Sequence, residues 1–143
     1  VAASAFCRVN TIKEARNEAL KVLDFCKFDH QKDKLVNNLP VAGRKRLEIT
    51  RALATKPELL LLDETAAGLN PGELEEAVGL IKKIRENGIS ILIVEHIMKV
   101  VMTLSDRIHA INFGRTIAEG TPREVANNPA VIQAYLGETH AQG

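Results

Sequence analysis

Two acidic residues follow directly on a run of four leucines, at Leu59-Leu60-Leu61-Leu62-Asp63-Glu64. In an open parallel sheet, ligands bind beyond the carboxyl ends of the strands. A carboxylate pair delivered there suits phosphoryl transfer, which asks a protein for little beyond positioning and charge neutralisation. Asp63 would hold Mg2+, directly or through its water shell, and Glu64 would orient and deprotonate an attacking water. Taken alone, an acidic pair after a strand is more often a solvated loop. A second reactive group shifts that balance. Val94-Glu95-His96 ends the next apolar run, and a neutral His96 on the same sheet edge would hydrogen-bond a γ-phosphate and hold base and water in place. The third feature is the loop Leu39-Pro40-Val41-Ala42-Gly43, running into Arg44, Lys45 and Arg46. Three cations in the first turn of a helix oppose its macrodipole, which costs stability unless an anion lies near. A helix start behind a glycine-containing loop is itself an anion site; a basic solvated face is the plain alternative.

The elements that must position these groups are written in local signals. Thr11-Ile12-Lys13-Glu14 is a capping box, and Ala15, Ala19, Val22, Leu23 and Cys26 recur at helical spacing behind it. A helix over residues 12–28 is predicted. After a polar stretch and the Pro40 loop, a second helix is predicted from Arg44 to Thr55, burying Leu47, Ile49, Ala52 and Leu53 and stopped by Pro57. The leucine run reads as a strand buried on both faces, as in the centre of a parallel sheet. A buried helix segment competes, but Pro57 and the following loop leave it little room.

Asn70-Pro71-Gly72-Glu73 supplies a cap, a proline at the first helical position and an acidic third residue. Leu74, Ala77, Val78, Ile81 and Ile84 then form one apolar face, closed by Gly88. Ile89 to Val94 is a second buried strand, so strand, helix and strand make a right-handed βαβ unit. A helix from Ile97 to about Leu104 is next. Arg107–Phe113 and Thr116–Glu119, joined at Gly114, read as a hairpin. Thr121-Pro122-Arg123-Glu124 is a further cap, and Asn128-Pro129 opens a last helix through Leu136, closed by Gly137.

Composition bounds the rest. A chain of 143 residues, 45% hydrophobic, fits one packed domain. With only 3% aromatics and no Trp, the core rests on Leu, Ile, Val and Ala. Nineteen basic against eighteen acidic residues give a net charge of +1, so no global field draws the chain to nucleic acid or to anionic membrane. Arg44-Lys45-Arg46 is the sole support for nucleic-acid binding, without aromatics to stack bases. Cys7 and Cys26 make no metal-spaced set and read as reduced thiols of a cytoplasmic protein. No apolar stretch approaches the ~20 residues of a membrane span, and Val1–Phe6 is no signal peptide.

Taken in order, the loop at 39–44, Leu59–Glu64, Ala67-Gly68-Leu69-Asn70-Pro71 and Val94-Glu95-His96 resemble the C-terminal part of an ABC transporter nucleotide-binding domain. Leu47–Pro57, Ala66–Pro71, Glu119-Gly120-Thr121-Pro122 and Ala134-Tyr135-Leu136-Gly137-Glu138 are similar in wording to the branched-chain amino acid importer ATPases. The resemblance runs from about Thr11 onward. It implies a partial P-loop NTPase-type α/β core of parallel strands and flanking helices. Residues 1–56 would be a remnant of the helical subdomain with its signature helix, and residues 57–143 the C-terminal half of the core, with the N-terminal lobe missing.

By that resemblance Asp63 ends the Walker B strand and binds the metal, Glu64 is the catalytic base and His96 the switch histidine. Leu39, Pro40, Ala42, Gly43 and Arg44 form the signature loop, which reaches ATP held by a second ATPase subunit. Ala67, Gly68, Leu69 and Asn70 correspond to the D-loop, which touches that subunit. ATP and Mg2+ are the implied cofactors, and transmembrane permease subunits the implied partners, at the inner face of the cell membrane.

The sequence also departs from the pattern. No G-x-x-x-x-G-K-[ST] occurs, and no Gly is followed by Lys, so the phosphate cradle is absent. Pro40 falls on the family's Ser, Ala42 on its Gly, Arg44 on a usual glutamine, and Thr65 on the Pro after the Walker B glutamate. The expectation is a fragment that alone neither binds nor hydrolyses ATP. The alternative is a non-catalytic module that self-associates through sheet surface left uncovered.

Overall fold

Three helix starts are fixed by reciprocal capping, and the computed structural model forms all three. It describes residues 11–136, divided into two compact units, residues 11–95 and 96–136. In the first unit, helix α1 (Ile12–Phe25) begins at the Thr11/Glu14 capping box. Its apolar stripe is only half-buried, while Cys26 and Phe28 just beyond it are buried. Two single 3-10 turns, Asp29–Gln31 and Val36–Asn38, lead to α2 (Val41–Leu53). Helix α2 starts three residues before the predicted Arg44. Pro40 takes the N-cap position at φ −64° and ψ 168°, where its missing N–H deprives no turn of a bond. The helix ends at Leu53, short of Thr55, because Pro57 bars the right-handed helical basin at Lys56, which takes φ 53°.

Strand β1 (Leu59–Asp63), helix α3 (Pro71–Glu86) and strand β2 (Ser90–Val94) follow. β1 and β2 pair in parallel, with Leu59 opposite Ser90 and Asp63 opposite Val94. The Asn70/Glu73 capping box opens α3, and Leu80, Ile81 and Ile84 bury its inner face. Leu80 belongs to this core although the predicted stripe left it out. At the far end of α3, the Lys83 ammonium lies 4.1 Å from the Phe25 ring centroid and donates to the Phe25 carbonyl. That contact ties α3 to the end of α1.

The sheet corrects one expectation. Leu60 and Leu62 are buried, but Leu59 and Leu61 are 54% and 65% exposed, and Leu92 and Val94 are each 59% exposed. The run is apolar on both faces in sequence, yet buried on only one. A βαβ crossover lays its helix across a single face, and the other stays more than half exposed at these four residues.

The second unit begins at His96. Helix α4 (Met98–Leu104) buries Val100 and Leu104. The predicted hairpin forms as β3 (Ile108–Asn112) and β4 (Arg115–Gly120), antiparallel, with an irregularity between Ala110 and Ile111. Ala110 and Ala118 of the hairpin join Val125 and Val131 in a small core, with Ile108 and Ile117 packed against it. Helix α5 (Pro122–Ala126) starts at the Thr121/Glu124 capping box. A Cβ at Gly120 would stand 2.8 Å from a Glu124 carboxylate oxygen, so a side chain there would displace the carboxylate that closes the cap. The last predicted helix forms over the expected span, capped by Asn128, as an α-helical turn Pro129–Val131 that continues as a π-helical turn Ile132–Leu136; its expected stop at Gly137 lies outside the described residues.

Candidate functional site

β1 ends at Asp63, whose side chain is exposed at the carboxyl edge of the sheet. The next residue leaves the strand through an unusual backbone. Glu64 has φ 45°, a left-handed conformation that costs an L-residue about 1–2 kcal/mol. Lys27, Lys56 and Phe113 share this region, but the two lysines follow helix ends and Phe113 sits in the hairpin turn, where left-handed residues are ordinary. Glu64 follows a strand.

Its backbone is held on both sides. The Glu64 amide donates to the Val94 carbonyl at 2.9 Å, extending the sheet ladder by one residue. Its carbonyl accepts from Lys45 Nζ at 2.7 Å and from the Ala67 amide at 3.2 Å. Two residues on, the Ala66 amide donates to Glu95 Oε1 at 2.8 Å. Thr65, between these anchors, is only 8% exposed, and neither its hydroxyl nor Glu95 Oε2 has a hydrogen-bond partner among the described residues. Sequence reasoning missed Lys45 and Glu95 as holders of this loop. No periodicity connects residues 45, 64 and 95, so no local signal announces them.

The loop Ala67–Asn70 runs on from there. Gly68 sits at φ 77°, which its missing side chain permits, and Asn70 caps α3. At the start of α2, Leu39 is buried, Pro40 and Arg44 are exposed, and Ala42 and Gly43 are half-buried. The first turn of α2 receives no side-chain cap. With α2 starting at Val41, Arg44, Lys45 and Arg46 are its fourth to sixth residues and not its opening ones, and two of them find partners within the protein. Lys45 is engaged with the Glu64 carbonyl, and Arg46 forms a 2.6 Å ion pair with Glu76 on α3. The protein supplies these partners itself, from the loop after β1 and from α3. His96 is exposed and opens the second unit.

Elsewhere, Glu18 is paired with Lys21 at 2.7 Å and Lys56 at 3.0 Å, which lower its pKa to about 2. Burial raises the pKa of the Cys26 thiol, which is free. No group of three or more His, Cys, Asp or Glu side chains is placed to hold a metal among the described residues. No described helix is long and apolar enough to cross a membrane.

The family described as "ABC transporter" matches residues 3–67, and that described as "Branched-chain amino acid ATP-binding cassette transporter" matches residues 115–141. The high-affinity branched-chain amino acid transport ATP-binding protein LivG of Salmonella typhimurium is 46% identical over 87% of this chain. This chain is homologous to the C-terminal half of an ABC transporter ATPase. It spans about half the length of the curated relatives it matches, 49% in the case of LivG.

The same ABC likeness extends beyond LivG. BraF of Pseudomonas aeruginosa, a high-affinity branched-chain amino acid transport ATP-binding protein, is 42% identical over 88% of the chain and 50% of its own length. The lipopolysaccharide export ATP-binding protein LptB of Haemophilus influenzae is 34% identical over 90% of the chain and 53% of its own length. Among solved structures, the ABC transporter ATP-binding cassette MJ1267 superposes with a TM-score of 0.80 at 30% identity, covering 90% of this chain and 53% of that one. The α/β fold with a parallel-strand sheet is therefore that of the ABC ATPases.

Proposed function

We propose that this chain carries the hydrolysis end of an ABC-type ATPase site that drives import of amino acids, branched-chain ones by its likeness to LivG and BraF. The observation that supports this best is Glu64, forced into a left-handed conformation at a strand end and anchored through its own amide and carbonyl. Strain maintained by surrounding structure is a mark of functional positions. In this reading Glu64 is the general base, taking a proton from the water that attacks the γ-phosphorus. His96 steadies the transferred phosphate, and residues 39–44 reach nucleotide bound by a second ATPase subunit. Residues 67–70 touch that subunit.

Mg2+ usually binds through one or two carboxylates with the remaining positions filled by phosphate oxygens and water. Asp63, an exposed carboxylate at the end of β1, fits that mode. The ion would neutralise charge on the phosphates.

We further propose that residues 1–56 serve as helical subdomain and residues 57–143 as the second half of the core. Residues 1–143 alone do not bind ATP usefully, since they contain no G-x-x-x-x-G-K-[ST]. Cytoplasmic permease-bound assembly is the corresponding location. Mixing the chain with a polypeptide that carries such a loop should restore ATP turnover. Glu64→Gln should then lower kcat by about 10²–10⁴, the usual worth of a general base. Turnover that is the same in Glu64→Gln as in the native chain refutes the assignment.

The exposed Leu59, Leu61, Leu92 and Val94 favour a second reading, a self-associating module without catalysis. It predicts dimers or larger species by light scattering and no heat on titration with Mg-ATP. A monodisperse monomer counts against it.

A further inference from the structure

We propose that Lys45 and Glu95 are positioning residues for Glu64, and that Lys45 links its conformation to the start of α2; the proposal rests on Glu64 as the general base. The two side chains come from different elements and close on the same three residues. Lys45, one turn into α2, donates to the Glu64 carbonyl at 2.7 Å. Glu95, the residue after β2, accepts from the Ala66 amide at 2.8 Å. Between those bonds lie the 64–65 and 65–66 peptides, so neither can rotate without breaking one of them. The Glu64–Val94 ladder bond fixes the other side of the same residue. Glu64 is thereby held left-handed, with its carboxylate launched from a defined backbone.

Both anchors are charged, and charge-assisted hydrogen bonds are roughly twice as strong as neutral ones. Glu95 is half-buried where it makes this bond. Lys45 adds a second consequence. It stands one residue beyond the 39–44 loop, so a displacement of the α2 start pulls on the Glu64 carbonyl. Occupancy of that loop and alignment of the base become one coupled event.

The test uses residues 1–143 as they stand, 15N- and 13C-labelled. Glu95→Met and Lys45→Met fill the same space without the acceptor or donor; Glu95→Gln and Lys45→Arg restore them. Amide exchange at Ala66 should accelerate about tenfold or more in Glu95→Met and return most of the way in Glu95→Gln. The Glu64 carbonyl 13C resonance should move in Lys45→Met and recover in Lys45→Arg. Unchanged exchange and an unchanged resonance in the two Met variants overturn the clamp, whatever the role of Glu64. In the complemented ATPase, the Met variants should lower kcat with KM unchanged, and the rescuing variants should restore it. Met variants with native kcat, where Glu64→Gln abolishes turnover, overturn the positioning role. Full turnover in Glu64→Gln instead removes the base assignment and the proposal with it, and that single variant identifies this cause.

Discussion

Replacing Thr65 by Val isolates the energetics of the loop beside Glu64. Thr65 is 8% exposed, and its hydroxyl has no hydrogen-bond partner among the described residues. In the unfolded chain that hydroxyl is hydrated; folding buries it without a partner from the described residues. A buried, unsatisfied polar group costs about 1–3 kcal/mol. Valine has nearly the same shape, so the substitution removes this cost without opening a cavity. Discounting for residual exposure, Thr65→Val should stabilise the fold by about 1 kcal/mol, raising the thermal midpoint by roughly 3–5 °C for a chain of this size.

Thr50 is the internal control. It is also buried, at 4% exposed, but its hydroxyl donates to the Arg46 carbonyl at 2.7 Å. Thr50→Val therefore deletes a made hydrogen bond and should lower stability by about 0.5–1.5 kcal/mol. Urea unfolding followed by circular dichroism reads both, with the midpoint moving and the slope constant. A midpoint that falls in Thr65→Val as it does in Thr50→Val would refute the reasoning, since the two hydroxyls would then be energetically alike.

Three other perturbations have definite signs. Glu18 is held at a pKa of about 2 by Lys21 and Lys56, below its ordinary 4.5. Its contribution is therefore complete above about pH 4.5 and lost as pH falls through about 2; Glu18→Gln should lower the urea midpoint at pH 7 and have a much smaller effect at pH 2. Cys26 is buried with its pKa raised by that burial, so maleimide at pH 7.5 should label it only after denaturant is added, as read by mass spectrometry. Ile84 is fully buried on α3, and Ile84→Ala should destabilise by about 2–5 kcal/mol through lost burial and the cavity left behind, seen as a lower urea midpoint.

The amino-acid sequence determined what is decided within a few residues. Thr11 with Glu14, Asn70 with Glu73 and Thr121 with Glu124 each satisfy their own helix start, so all three boundaries were legible. The βαβ unit and the Gly114 hairpin were equally plain, because apolar periodicity and turn residues lie side by side in the chain. So was the placing of Asp63 at the end of the first strand. What long-range packing decides was not legible. Leucines at 59–62 look alike in sequence, yet only Leu60 and Leu62 find a covering face, because burial depends on which helices the crossover lays down. Arg44, Lys45 and Arg46 look like one basic patch until α2 packs, when Lys45 meets the Glu64 carbonyl and Arg46 meets Glu76. Glu95 reads as the residue before a histidine, and only the β1–β2 pairing brings its carboxylate to the Ala66 amide. Tertiary structure alone joined residues 45, 64, 66 and 95, since hydrogen bonds between distant segments leave no period in the sequence.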